Sequence, residues 1–429
     1  MVLALFVIFF VLIILGIPIG VSIGLAVFSV ILCSGQVSCV IASQALIRQI
    51  SSFSLVAIPF FMLAGEIMEK SGITQKLVDF ADAVVGWITG GLAYVAIFTG
   101  ILMGGISGSG PADTAALGGI MIPSMIKSGY PKNYSAAALA ASGSIGAIIP
   151  PSITMVVLAG ILGESVGAML MAGLVPGILI GLLMMLVSGL ICHYKKYAIR
   201  DKSEFSWEKL GRAFVNALIP MMAPLMIVGG IVLGIFTATE ASVVVSVYTL
   251  IIGLFVYRTI KLRDLKEIFS SAIVSSANVL LIIGVSAGFS WVLTYNNFPS
   301  LVTGLMLGIS TNKFVIVLLV NIIFLVGGMF MEGLALILMF VPIFQPIMAA
   351  VGVNPMIFGV MVLINVVIGT LTPPVGVCLF VSSSISGEKV TSIGRAVLPF
   401  VGCMVLVMFL VVLLPDIVMF VPRLAGLAG

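Results

Sequence analysis

The chain has little that catalysis or soluble folding requires. Charged residues make up 8% of 429 positions, and there is a single histidine, His193. Five cysteines (Cys33, Cys39, Cys192, Cys378, Cys403) lie scattered without a CxxC pair, which argues against a metal cage or a dithiol redox site. No GxxxxGK[ST] loop is present, so no ATP use by this chain is expected. No nucleophile–base pair stands out, so the chain does not read as an enzyme. Three tryptophans are too few for the aromatic girdles of a membrane β-barrel. A net charge of +4, carried by loop residues, gives no basic face for nucleic acid.

What is abundant is apolar sequence. Hydrophobic residues reach 61%, with 47 Gly and 19 Pro, and mean hydropathy is +1.35. That composition belongs to an all-α polytopic protein in a lipid bilayer. Apolar runs place crossings near 2–16, 20–33, 53–69, 133–163, 166–192, 213–233, 240–257, 270–294, 355–386 and 397–421. Two further runs, about 92–127 and 314–350, carry Gly-rich interruptions and read as re-entrant hairpins. The start Met1-Val2-Leu3 lacks a basic n-region, so it reads as a retained span rather than a signal peptide.

The loops then divide by charge. One side collects sixteen of the 19 basic residues, including Lys70, Lys127, Arg200, Lys202 and Arg395; the other holds Arg48, Lys313 and Arg423. By the positive-inside rule the first side is cytoplasmic, and both termini are expected to be periplasmic. Every Lys and Arg is thereby assigned to a loop. His193 falls in the basic central loop and reads as a solvated surface residue.

One motif is written twice. Ile145-Gly146-Ala147-Ile148-Ile149-Pro150-Pro151 recurs 223 residues later as Ile368-Gly369-Thr370-Leu371-Thr372-Pro373-Pro374. Proline removes a backbone donor and clashes with the preceding helical turn. A helix broken at membrane depth needs a protein or ion partner for its freed polar groups. The same offset maps Ala64-Gly65 onto Ala287-Gly288 and Ser142 onto Asn365. Five crossings per half make this an inverted-topology repeat. The first copy is 1–192, with scaffold 1–50 and transport helices 51–192. The linker is 193–212, and the second copy is 213–429, with scaffold 213–270 and transport helices 271–429. Stretches 71–87 and 298–312 read as interfacial arms.

Each hairpin tip should face a broken helix, because both expose backbone carbonyls to one centre. The tips are Gly104–Thr114 and Gly327–Gly333. Two cation sites follow, suited to Na⁺. The first would use Ser107, Ser109, Gly146 and Ile149, and the second Gly328, Gly369 and Thr372. Helix N-termini aimed at the same centre favour an anionic substrate. Candidate substrate or coupling contacts are Asp113, Thr114, Ser142, Glu332, Asn365 and Thr370. Asp113 and Glu332 each precede a proline (Pro123, Pro342) by ten residues and look equivalent. Either carries coupling at membrane depth or simply stabilises the start of its helix.

The turn GISGSGPADTAALGG, the segment SGYP, the break IGAIIPPS, the hairpin FMEGLALILMFVPIFQPI and the break GTLTPP together resemble the large membrane subunit of a TRAP (tripartite ATP-independent periplasmic) transporter. The resemblance spans essentially the whole chain. It implies an elevator-type Na⁺-coupled importer of the bacterial inner membrane. It also implies two partners, a small four-helix membrane subunit and a periplasmic substrate-binding protein. The solute would be an organic acid, such as sialic acid or a C4-dicarboxylate. Glu332 departs from the Asp expected at its position. A stand-alone Na⁺/carboxylate symporter, needing no binding protein, is the rival reading.

Overall fold

A computed structural model describes residues 1–35, 38–197 and 205–427, and every regular element among them is helical. The first half runs α1 (Val2–Ile14), α2 (Ile19–Ser34), α3 (Cys39–Ile50), α4 (Ala57–Lys70), α5 (Ile73–Val85), α6 (Gly91–Ser107), α7 (Gly110–Lys127), α8 (Lys132–Ser144), α9 (Ile153–Leu162), α10 (Val166–Ala172) and α11 (Leu174–Lys195). The second runs α12 (Trp207–Val232), α13 (Ala238–Ile251), α14 (Leu262–Tyr295), α15 (Phe298–Ile309), α16 (Lys313–Phe330), α17 (Gly333–Ala350), α18 (Pro355–Thr370), α19 (Val377–Ser386), α20 (Val390–Leu413) and α21 (Asp416–Leu424). Seven helical segments among the described residues are long and apolar enough to cross a membrane. The chain is a multi-pass membrane protein.

The 223-residue offset reappears in the helix boundaries. It carries Gly110–Lys127 onto Gly333–Ala350 at both ends, and Lys132 onto Pro355. It carries α6 onto α16 within one residue at the start and none at the end. The α3–α4 pair lies on the single long α14, the first copy being interrupted at residues 51–56.

Packing interlocks the halves. First-half α9 lies on second-half α17 and α18, while second-half α19 lies on first-half α7 and α8. Likewise α2 and α3 pack on α14, and α13 packs on α4. At the centre, α8 is buried throughout Tyr134–Ser144 and α18 throughout Met356–Gly369. A helix apolar on every face belongs inside a bundle. The small residues of α8 let neighbouring backbones approach closely. A Cβ added at Gly143 would meet Thr114 N at 2.5 Å and Thr114 Cα at 2.6 Å.

Several sequence expectations need correction. The segment assigned to a loop around Arg48 forms α3, so Arg48 sits in the last turn of a helix. His193 lies at the exposed end of α11 rather than in a loop. The expected crossing 397–421 is two helices, α20 and α21, separated at Leu414–Pro415, because a proline cannot continue the α20 hydrogen-bond ladder. The linker is shorter than 193–212, since α12 begins at Trp207. Arg200 and Lys202, with the middle of that linker, lie outside the described residues.

Gly143→Ala should destabilise the purified protein by about 1–3 kcal/mol, because the new methyl strikes backbone. Gly119→Ala, where nothing lies within 4 Å of the added carbon, should be neutral or stabilising by up to about 1 kcal/mol. Thermal unfolding in detergent checks both; an unchanged transition for Gly143→Ala would contradict this packing.

Candidate functional site

At the first tip, α6 ends at Ser107 and Gly108 takes φ +65°, a left-handed turn that favours glycine. Chain reversal is completed by Ser109, and Pro111 sits in the first turn of α7, where its missing donor costs nothing. Asp113 is fully buried. Its Oδ1 accepts from Ser107 Oγ at 2.5 Å, and Ser109 N donates to Ser107 Oγ at 3.2 Å. Its Oδ2 has no hydrogen-bond partner. That oxygen is the first atom a Cβ at Gly146 would meet. A Cβ on Gly104 would come within 2.8 Å of Gly146 Cα, so tip and break touch through backbone. Past Gly146 the helix opens. Ile145–Ala147 is a short 3-10 turn, Pro150–Pro151 is cis, and Ser152 caps α9 by accepting from Met155 N at 3.3 Å.

The second tip repeats the contact with other chemistry. A Cβ on Gly369 would lie 2.6 Å from Gly328 O. Val375 N donates to Met329 O at 3.1 Å, tying the break to the tip. Pro373–Pro374 is also cis. The Thr370 and Thr372 hydroxyls donate to their own helix, on Val367 O and Ile368 O at 2.7 Å. Asn365 Nδ2 donates to Asn321 Oδ1 at 2.5 Å and to Met361 O at 3.0 Å, while Asn365 Oδ1 is buried without a partner.

Asp113 and Glu332 are not equivalents. Asp113 is the fourth residue of α7, whereas Glu332 precedes α17 and caps it, accepting from Ala335 N at 3.3 Å. The offset pairs Glu332 with Ser109. Pro123 and Pro342, which made the spacing look equal, both lie inside their helices.

Between the tips and breaks lies a cavity of about 270 Å³. Its wall contains the opening residues of four helices: Gly110 and Pro111 of α7, Ile153 and Thr154 of α9, Gly333 and Leu334 of α17, and Val377 of α19. Each helix N-terminus behaves as roughly half a positive charge. Among the described residues no Lys or Arg lines the cavity, and Glu332 is the one acid in its wall. The C-terminal ends of α6 (Gly108), α8 (Ser144), α16 (Gly328) and α18 (Gly369 and Thr370) line the same wall, so both ends of helix dipoles meet there. Of the sequence candidates, Ser109, Gly328, Glu332, Gly369 and Thr370 line it.

A neighbouring cavity of about 200 Å³ is lined by Ser107, Ser109 and Asp113 together with Glu66 and Glu69. Gly146 lies at the tip contact, and Ile149 packs its side chain against Gly177 of α11. Thr114 donates to Gly110 O at 2.8 Å and Ser142 to Ala96 O at 2.5 Å. Thr114, Ser142, Asn365 and Thr372 lie outside both walls. Sequence reasoning missed Asn321, whose only signal is a lone amide within an apolar helix. It also missed Cys378, which is fully buried and whose Sγ would lie 3.7 Å from a Cβ added at Gly110, the first residue of α7.

The family described as "Tripartite ATP-independent periplasmic transporter, DctM component" matches residues 6–417. The sialic acid TRAP transporter large permease protein SiaM of Vibrio cholerae serotype O1 is 36% identical over 384 residues, covering 89% of this chain and 89% of its own. The C4-dicarboxylate TRAP transporter large permease protein DctM of Pseudomonas aeruginosa is 36% identical over 377 residues, 88% of each chain. Among solved structures, the Alcanivorax borkumensis YdaH transporter superposes with a TM-score of 0.62 at 15% identity, over 90% of this chain and 89% of that one. That likeness is one of fold alone.

Asn365→Leu should cost about 1–3 kcal/mol, the penalty for leaving Asn321 Oδ1 buried without a donor. Adding Asn321→Leu should cost less than the two single changes summed. A double-mutant cycle by thermal unfolding reads the coupling; simple additivity would mean the amide pair is not a unit.

Proposed function

The chain belongs to the DctM-component family of tripartite ATP-independent periplasmic transporters, and from that premise we propose that it is the large membrane subunit of a Na⁺-coupled organic-acid importer. The observation that carries this reading is one cavity where the N-terminal ends of α7, α9, α17 and α19 meet the C-terminal ends of α6, α8, α16 and α18, offering backbone amides to an anion and carbonyls to cations, with no Lys or Arg among the described residues of its wall. An anion held there is balanced by backbone dipoles and by cations that travel with it. Sialic acid or a C4-dicarboxylate fits the names of the relatives.

Na⁺ is a co-substrate in this reading. The first ion is held at the tip–break contact of Ser107, Ser109, Gly146 and Ile149, and the free Oδ2 of Asp113 supplies a hard, charged oxygen. The second is held where Gly328 O meets Gly369, with Thr372 nearby. Without the ions, Asp113 carries an unbalanced charge that disfavours loading the anion. With both in place, the acid is welcome. Two cations moving with a monoanion carry one net charge inward, which the membrane potential drives by about 2.3 kcal/mol per 100 mV.

The hairpins α6–α7 and α16–α17, re-entrant and inverted relative to one another, move with the broken helices against a scaffold of α1–α3 and α12–α14; α14 (Leu262–Tyr295) runs unbroken through the boundary expected at 270 and is assigned whole to the scaffold. The protein lies in the bacterial inner membrane with both termini periplasmic. It works with a small four-helix subunit and receives solute from a periplasmic binding protein.

Proteoliposomes containing this chain and its small subunit test the reading. Uptake of labelled sialic acid or succinate should require both the binding protein and an inward Na⁺ gradient; uptake without the binding protein would replace it with a stand-alone symporter. Asp113→Asn should raise the Na⁺ concentration for half-maximal uptake at least tenfold, about 1.4 kcal/mol. Equal Na⁺ dependence in variant and parent would remove Asp113 from the ion site. Ser290 Oγ lies 3.5 Å from Leu338 O, bridging α14 and α17. A Ser290→Cys/Leu338→Cys disulfide, in a background lacking the native cysteines, should stop turnover while Na⁺-dependent stabilisation persists. Turnover surviving efficient cross-linking would refute the elevator.

A further inference from the structure

A second, larger cavity of about 870 Å³ opens between α3 and α14 on one side and α9 and α17 on the other. It lies on the Arg48 side of the membrane, which the charge asymmetry makes periplasmic. Arg48, in the last turn of α3, is the one charged residue in its wall. Around it stand Gln44, Gln345, Ser286, Ser290 and Trp291.

We propose that this vestibule is a staging site for the solute, in which Arg48 receives a carboxylate before the solute reaches the central cavity. This rests on the reading of the chain as an organic-acid importer.

Three observations support it. First, the other two basic residues of that face are engaged: Lys313 Nζ donates to Gly352 O at 3.3 Å, and Arg423 pairs with Asp416 at 2.7 Å. Arg48 has no ion pair or side-chain hydrogen bond among the described residues. A guanidinium in a polar recess, free of carboxylates, presents a planar fork that matches a carboxylate in two hydrogen bonds. Second, Ser286 is 1% exposed, lines the cavity, and its Oγ has no partner. A buried hydroxyl is rarely left unsatisfied, and a hydroxylated acid supplies what it lacks. Third, Trp291 stacks on Tyr295 at 5.1 Å between ring centroids, which fixes an indole edge in the wall for the solute's carbon skeleton to lie against.

The logic is one of sequence in time. The central cavity has no formal positive charge until cations bind, so an arriving anion finds only dipoles there. Arg48 supplies a charge at once and steers the acid inward. The exchange of one arginine for co-bound cations is then the commitment to transport. The same guanidinium could instead receive an acidic side chain of the binding protein, and the test separates these sources.

The complex with the small subunit is purified with Trp87→Phe and Trp207→Phe, so that Trp291 is this chain's sole tryptophan; tryptophans of the small subunit are likewise replaced. It is titrated with sialic acid, succinate and the neutral diamide of succinate, without binding protein. At least one acid should change Trp291 emission saturably and the diamide should not. Arg48→Ala should weaken the response tenfold or more, with Arg48→Lys intermediate because it keeps charge without the fork. In liposomes Arg48→Ala should raise KM for uptake while leaving the maximal rate within about twofold, the mark of an approach site. An equal response in Arg48→Ala overturns the proposal. So does a response seen only when binding protein is added, or none at all while Na⁺-driven uptake persists. Loss of uptake in the parent protein is a different failure, since it removes the importer reading itself.

Discussion

Two backbones touching without side chains between them are the contact on which the rest depends. Gly104 meets Gly146 in one half, and Gly328 meets Gly369 in the other. A methyl at either place would push a hairpin tip away from a broken helix. With hydrogen in its place, peptide oxygens released by the breaks lie beside those of the tips. Away from water such oxygens need partners, and the proposed cation is a partner that would also transmit its presence to the neighbouring cavity. Packing and ion chemistry here share one set of atoms.

The two ion regions are alike in backbone and unlike in side chains. A buried carboxylate and two serines serve the first, whereas an amide pair and threonines serve the second. The first site therefore carries formal charge in its own wall, and the second relies on dipoles. Under the proposed coupling, this difference would give the two ions different roles. The first would restore neutrality to the protein, and the second would add positive charge that the anion can use.

Much of this was legible in the sequence because proline and glycine act locally. The duplicated Ile-Gly-x-x-x-Pro-Pro motif marked both breaks, and the glycine runs marked both hairpins to within a residue or two of their helix ends. What escaped depends on longer-range geometry. Helix α3 is 12 residues long and includes Ser43, Gln44, Arg48 and Gln49. It is too short and too polar to register as a span, so its arginine was assigned to a loop. The pairing of Asp113 with Glu332 was drawn from their distance to a proline, but a proline inside a helix does not report where that helix begins. Asn321 and Cys378 offered no pattern, since Asn321 pairs with an amide 44 residues away and Cys378 packs beside Gly110, some 270 residues away in the chain.

The crossed packing of α9 and α19 has a consequence for how the protein is made. Helix α9 has ten residues, about 15 Å of helix and half the thickness of a bilayer core. It cannot stand as a span by itself, and the surfaces it rests on, α17 and α18, end at Ala350 and Thr370. At synthesis rates of about 5–20 residues per second, those surfaces follow α9 by on the order of 10–40 s. During that interval the half-length helix has only first-half neighbours, among them α10 and α4. Its full burial waits for α17 and α18, so the folding of this subunit is bound to the completion of nearly the whole chain.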